Sequence, residues 1–383
     1  MRQTVAIMDI DVTDDGLRVG GSARTVDLSW SWLRDHCDDT SCVDPRTGQR
    51  LLGSFGNESH ETPRVSLDSS CAAFEWGDGV TSISLDRLAA VSGRIDPVHS
   101  KKHPASVGSD EARLWDSARP SAAKEPLDAG EVIAGHAVPD LVERMTVDGF
   151  AVLAGAAHGA EAVEQIASKL GYVRRTIFGD VWELAAGLTD HADSAYTTSS
   201  IGLHTDATYM HDAPGVQMFI CQERDGTGGE SILADGFAAA DRLVRVDSRV
   251  ADLLTSYDVV GEYVEPGVHL MAERPPLRVD GTGRLVQVTF NNYDRAPFHL
   301  ADADADFRDA YAKLGREFEN EEHWCRLEWE PGQVLLFDNW RVLHARAAFT
   351  GARRFLGAYI NHEDLDSVAR LVGRSGDLQA DDF

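Results

Sequence analysis

The pair His204-Thr205-Asp206 constrains this chain more than any other feature. It lies in a stretch, 202–209, that reads as strand and turn. Side chains two positions apart in a strand share a face, so the imidazole and the carboxylate converge. A neutral nitrogen donor beside an anionic oxygen suits a divalent transition metal. One further histidine would complete a facial triad that leaves positions open for substrate and O2. Alone, such a pair arises often by chance and is ordinarily no more than two exposed polar groups. To matter, it needs a fold that lays a distant strand beside this one.

The remaining pattern supplies strands. Residues 216–220 and 231–234 read as buried strands, with a turn at Thr227-Gly228-Gly229 between them. Further strands are expected at 284–292, at 354–360, and as a pair within 328–344 around Pro331-Gly332. Helical spacing appears at 161–170, where Gly171 would be the C-terminal cap, and at 304–318. Asp235-Gly236 opens another helix through Arg245, and Asp364 would cap a last one at 365–372. The fold class expected is mainly β with flanking helices, an antiparallel barrel supported on one face. Residues 1–100 read as a small β-rich domain, with alternating runs such as Ala73-Phe74-Glu75-Trp76 broken by glycine turns. Residues 101–130 read as a linker, and 131–383 as the main domain.

Composition narrows the partners. A formal net charge of −27 would repel phosphate, so no nucleic acid is expected. No apolar run reaches the roughly 18 residues of a membrane span, and the N-terminus lacks a signal or transit pattern. No membrane association and a cytoplasmic location are expected. Lysine is rare beside arginine, and acids are abundant, which suits solubility in high salt. The cysteines, Cys37, Cys42, Cys71, Cys221 and Cys325, are odd in number and scattered. Reduced thiols are expected rather than a disulfide framework. Cys37, Asp39 and Cys42 fall short of the four ligands of a structural zinc site.

A late segment offers the missing histidine. His344 follows Asp338-Asn339-Trp340, and Arg353 and Arg354 come about ten residues later. An arginine there could grip a carboxylate with two hydrogen bonds. H-x-D, a long interval, a histidine and then an arginine resembles the iron(II)- and 2-oxoglutarate-dependent dioxygenases. More closely, the chain resembles the γ-butyrobetaine/Nε-trimethyllysine hydroxylase family. Ala195-Tyr196-Thr197, 204–209, Pro214-Gly215-Val216-Gln217, Gly228-Gly229-Glu230-Ser231, Asn291-Asn292-Tyr293-Asp294-Arg295 and 338–347 carry the likeness.

The resemblance implies a double-stranded β-helix, or jelly roll, behind a small N-terminal β domain. It implies that His204, Asp206 and His344 hold Fe(2+). Arg353 would take the distal carboxylate of 2-oxoglutarate, helped by the Ser231 hydroxyl, with Arg346 and Arg354 as alternatives. O2 would drive oxidative decarboxylation to succinate and CO2, coupled to hydroxylation of a substrate. A homodimer is implied as well. Zinc is not expected: Asp39 stands where the family's middle cysteine would be, and Trp76-Gly77-Asp78-Gly79-Val80 lacks the family's histidine.

The family's aromatic cage for a trimethylammonium group maps onto Phe178, Trp182, Tyr196 and Tyr359. Such a cation cannot donate hydrogen bonds and is held by ring faces. Asp193, three residues before Tyr196, would repel a carboxylate and attract an α-ammonium, and Asn292 could donate to the carboxylate. The substrate expected is therefore Nε-trimethyllysine, hydroxylated at C3. γ-Butyrobetaine, or another small betaine or amino acid, is the alternative. A catalytically inactive jelly-roll binding protein is the alternative of a different class.

Overall fold

The computed structural model describes residues 9–20, 25–37, 39–47, 49–51, 62–77, 79–85, 87–88, 112–116, 125–185, 196–298 and 305–374. Two antiparallel three-stranded sheets come first. β1 (Asp9–Val12), β2 (Gly16–Gly20) and β3 (Thr25–Ser29) form one, and β4 (Arg64–Leu67), β5 (Cys71–Trp76) and β6 (Gly79–Ser84) the other. Period-two alternation turns Leu17, Val19, Val26 and Leu28 from the first sheet inward, and Ala72, Phe74, Trp76 and Ile83 from the second. They enclose Trp30, Trp32 and Leu33 of helix α1 (Trp30–Asp35). Ser29 starts that helix by accepting the Trp32 N–H at 3.2 Å.

One expectation fails in the loop that follows. Cys37 and Cys42 are joined in a disulfide, with Cα atoms 5.9 Å apart. A turn closed by the Cys42 N–H on the Asp39 carbonyl, at 3.0 Å, folds the chain back at the end of α1. That local turn brings the sulfurs together, which an argument from cysteine count and compartment does not see.

The main region is a sandwich of two sheets. The larger contains β7 (Leu127–Asp128), β8 (Phe150–Ala154), β9 (Val181–Ala185), β11 (Val216–Gly228), β18 (Val334–Asp338) and β20 (Phe349–Ile360), in the order β7-β8-β18-β11-β20-β9. The smaller runs β10-β19-β12-β17, from β10 (Ile201–His204), β12 (Ser231–Asp235), β17 (Cys325–Leu327) and β19 (Val342–Arg346). Among the described strands of the sandwich every pairing is antiparallel except β7 with β8. Two hairpins lie outside it, β13 (Val259–Glu265) with β14 (Val268–Arg274) and β15 (Leu277–Val279) with β16 (Leu285–Val288). This is the expected jelly roll.

Alternation assigns the faces. On β11, Val216, Met218 and Ile220 point outward, joined by Ala358 and Ile360 of β20. They meet Leu141 of α3 (Val138–Val147), Val163 of α4 (Ala160–Ala167) and Leu365 of α8 (His362–Arg374). The smaller sheet turns Ile232, Ala234, Leu343 and Ala345 outward, against Phe237 of α5 (Gly236–Val246), Leu254 of α6 (Ser248–Ser256) and Phe307 of α7 (Ala305–Phe318). Helices thus cover both outer faces, not one as expected. Between the sheets, Val152, Phe337 and Phe355 meet Leu233, Leu327 and Val342.

Local readings were displaced in three places. Gly171 is no left-handed cap; it lets α8 approach, because a Cβ there would sit 2.3 Å from Asp364 Cβ. Asp364 accordingly lies inside the first turn of α8 instead of capping it. Within the 101–130 stretch, Trp115 is buried in the inter-sheet core, β7 pairs with β8, and α2 (Ala129–Ile133) begins. The described residues contain no helix long and apolar enough to cross a membrane.

Candidate active site

Antiparallel pairing sets His204 of β10 directly opposite His344 of β19, with their rings 4.2 Å apart. Asp206 follows where β10 ends. Its Oδ1 lies 3.2 Å from His204 Nε2 and 3.7 Å from His344 Nε2. Ala207 then adopts φ 57°, an uncommon left-handed turn that reverses the chain behind the carboxylate. Asp206 Oδ2 accepts the Tyr359 hydroxyl at 2.8 Å and the Gln217 amide at 2.7 Å. Those two donors are themselves cross-strand partners on β11 and β20. Asn339 fixes the backbone, accepting the Asp206 N–H at 2.8 Å and donating to its carbonyl at 3.1 Å. His204 Nδ1 is 2.8 Å from the Gly202 carbonyl, which turns Nε2 toward Asp206.

Burial and charge act together on these groups. Burial, reinforced by His204, pushes His344 down to about 3. Burial pushes His204 the same way, but the hydrogen bond and charge of Asp206 outweigh it and leave that imidazole raised. Burial works against the Asp206 charge, yet His344, His204 and the Tyr359 hydroxyl hold its carboxyl well below the usual carboxylate range. The three candidate ligand atoms lie within 4.8 Å of one another. Two imidazoles and one anionic oxygen, converging and fixed from behind, fit a divalent metal such as iron.

Arginines separate clearly by their surroundings. Arg346 donates to the carbonyls of Thr197 and Ser199, at 2.7 and 2.8 Å. Arg354 is half-exposed and faces Glu183 and Glu223 at 3.9 and 3.8 Å. Arg353 lines the cavity; its Nε is buried without a hydrogen-bond partner among the described residues, and its guanidinium lies 4.0 Å over the Phe355 ring. Burial, with Arg346 and Arg224 adding to it against Cys221, pushes Arg353 down to about 9. A buried cation of this kind fits a carboxylate ligand. Ser231 lines the same cavity, and its Oγ accepts the Trp329 indole N–H at 3.0 Å, which leaves the hydroxyl proton to be donated.

Phe178, Trp182, Tyr196 and Tyr359 all line this cavity. The Trp182 and Tyr359 rings are 5.3 Å apart. Trp182 lies flat against β20 because position 357 is glycine; a Cβ there would meet the indole at 2.0 Å. Asp193 lies outside the described residues. Asn292 is not among the lining residues; its Oδ1 accepts from Arg295 Nε at 3.4 Å, while Asn291, Tyr293 and Asp294 line the cavity. Asn291 Oδ1 accepts the N–H groups of Tyr293 and Asp294, at 2.9 and 3.1 Å, and so curls the loop.

Residues 119–359 match the family described as taurine catabolism dioxygenase TauD, TfdA family. The chain belongs to this family. Trimethyllysine dioxygenase, mitochondrial, of Mus musculus is 30% identical, over 94% of this chain and 86% of that protein. The human protein of the same name is 30% identical, over 90% and 83%. Trimethyllysine dioxygenase of Meyerozyma guilliermondii is 29% identical, over 94% of both chains.

Several residues at the site had no role assigned from the sequence, although Gln217, Asp294 and Asn339 lie in stretches that carry the family likeness. Gln217 and Asn339 hold Asp206 but sit in strand and turn segments that read as core and loop. Gln49 reaches the cavity from the N-terminal region, and Asp294 faces it from 245 positions further on. No local pattern marks a pair so far apart.

Proposed function

We propose that this dioxygenase uses iron(II) and 2-oxoglutarate to hydroxylate Nε-trimethyllysine at C3, with release of succinate and CO2. The observation that carries the reading is the Arg353 guanidinium, its Nε without a hydrogen-bond partner among the described residues, in the same cavity as His204, Asp206 and His344. In this reading those three hold the iron, which supplies O2 activation coupled to decarboxylation of the co-substrate. Arg353 takes the distal carboxylate of 2-oxoglutarate, and Ser231 donates to it. Gln217 and Tyr359 occupy Asp206 Oδ2 and leave Oδ1 turned to the imidazoles. Phe337 and Phe219, with rings 4.7 and 6.2 Å from His344, keep water from that side.

Phe178, Trp182 and Tyr196 offer ring faces to the trimethylammonium group. Tyr359 adds its face alone, since its hydroxyl is committed to Asp206. The names of the relatives agree with this substrate. Asp193 remains a candidate for the α-ammonium. A homodimer, a cytoplasmic location, a place in carnitine biosynthesis and the division into domains 1–100 and 131–383 belong to the same proposal. Light scattering tests the dimer.

The test is turnover with iron(II), 2-oxoglutarate and a panel of trimethyllysine, γ-butyrobetaine, lysine and a sulfonate. Succinate release and a product heavier by one oxygen are read together. Trimethyllysine should give both. Hydroxylation of another panel member, with none of trimethyllysine, overturns the substrate. No succinate from any of them overturns the activity.

A further inference from the structure

Arginines gather where the N-terminal region meets the 291–298 loop, in a chain whose net charge is −27. Asp35, the last residue of α1, takes two hydrogen bonds from Arg295, at 2.6 and 3.2 Å, and one from Arg50 at 3.1 Å. The Phe298 N–H donates to it as well, at 3.1 Å. Arg308 of α7 joins them: its guanidinium and that of Arg295 share the Phe298 ring, at 5.2 and 4.2 Å. Arg50 and Arg295 are 7% and 2% exposed. Burial works against the Asp35 charge, yet Arg295, Arg50 and Arg308 hold its carboxyl well below the usual carboxylate range. Three guanidiniums withdrawn from water thus share one carboxylate.

That carboxylate does not satisfy all three. Among the described residues, Arg50 Nε and Arg308 Nε and Nη2 are buried without a hydrogen-bond partner. Burial, with Arg295, Arg87 and Arg308 adding to it against Asp35, pushes Arg50 down to about 10. A second cavity opens beside the cluster, and Arg50, Arg87 and Arg295 are in its walls. Two carboxylates line it too, and each has partners of its own. Glu262 Oε1 is 2.8 Å from His269 Nε2. Asp294 accepts the Asn291 and Gln49 amides, at 2.8 and 3.3 Å. Gln49 and Asp294 also line the catalytic cavity, whereas Arg50 and Arg87 line the second cavity alone.

We propose that this second cavity is a binding site for a small oxyanion, a phosphate or a carboxylate, seated on Arg50. A buried charge persists where it is paired and hydrogen-bonded, and one carboxylate among three guanidiniums falls short of that. An oxyanion brings the missing charge. Asp35 is met through Arg50 Nη2, which leaves Nε to donate to the ligand. Glu262 and Asp294 in the same walls would repel an extended polyanion, so the ligand is small and keeps to the arginines. The site does not depend on the iron chemistry, and its ligand is separate from the carboxylate that Arg353 awaits.

The test titrates the full chain with inorganic phosphate, and separately with acetate, in chloride-free buffer at pH 7, read by calorimetry. One anion per chain should bind saturably, and the melting temperature should rise with its concentration. Arg50→Gln should weaken that binding about tenfold or more, the loss expected for a charged hydrogen bond. Arg87→Gln should weaken it several-fold, and it decides the matter if Arg50→Gln does not fold. Arg353→Met should leave it unchanged. Tighter binding of phosphate marks a phosphate ligand, and tighter binding of acetate a carboxylate. No saturable binding of either anion overturns the site. So does binding that survives undiminished in both Arg50→Gln and Arg87→Gln, or binding lost in Arg353→Met, which would put the anion in the catalytic cavity.

Discussion

Two arginines of the sandwich, Arg341 and Arg353, have opposite surroundings. At the end closed by α5, Arg341 is 2% exposed and fully engaged. It donates twice to Asp235, at 3.2 and 2.8 Å, and to the carbonyls of Val147 and Arg113, at 2.9 and 2.8 Å. Burial works against its charge, but Asp235 outweighs burial and raises it. Among the described residues Arg353 has no such counter-charge, and burial pushes it down to about 9. Burial alone does not tell a structural cation from a binding one. The counter-charge does: where the fold supplies it, the arginine holds the fold together. Where the fold withholds it, a ligand must bring it.

This comparison can be broken at either arginine. Arg341→Met strands Asp235 as a buried charge and should remove roughly 3–5 kcal/mol of stability, read from urea unfolding. Arg353→Met should leave unfolding within about 1 kcal/mol of wild type, since an uncompensated charge disappears. Its KM for 2-oxoglutarate should rise at least tenfold, and 2-oxoglutarate should no longer raise its melting temperature. Equal stability losses in the two variants would refute the contrast.

Smaller effects sharpen it. Gly357→Ala should displace Trp182 at a cost of about 1–3 kcal/mol, seen as lower stability and a raised KM for trimethyllysine. Tyr359→Phe removes one of two donors to Asp206 Oδ2 and should weaken iron(II) binding about tenfold in a metal titration. His362 provides the smallest test. Burial lowers it, but Asp338 and Asp366 outweigh burial and raise it to about 10. A raised histidine stabilises fully below its unfolded value near 6.5 and loses that contribution as pH climbs through about 10. Stability should therefore decline over that window in wild type, and His362→Gln should flatten the decline.

The legible parts of the site were those set by short spacing. His204 and Asp206 converge across a two-residue spacing, His204 at the end of β10 and Asp206 just beyond it, and the alternation of 355–360 marks both the core and the cavity face of β20. The order of histidine and arginine carried the family. What stayed hidden was set by contacts at long range or by turns. Gln49 meets Asp294 across the chain. Asn291 lines the cavity in a loop curled by its own side-chain hydrogen bond. The Cys37–Cys42 bond follows from a turn closed through a backbone carbonyl. Helices on the second outer face require knowing which strands share a sheet, and that is fixed by pairing rather than by pattern.

β20 has a final consequence for how the molecule matures. On one side of this strand lie Arg353, the bare Gly357 beneath Trp182, and Tyr359; on the other lie Ala358 and Ile360. Its partner β11 presents Gln217 opposite Tyr359 and Val216 opposite Ile360. A slip by one residue would exchange the two sides, sinking Arg353 into the helix-packed core and lifting Ile360 into the cavity. The apolar core thus proofreads the chemistry. A chain that has packed its helices against this sheet has already placed its cationic anchor and its carboxylate support, so newly made protein should gain ligand binding in the same step that buries its core.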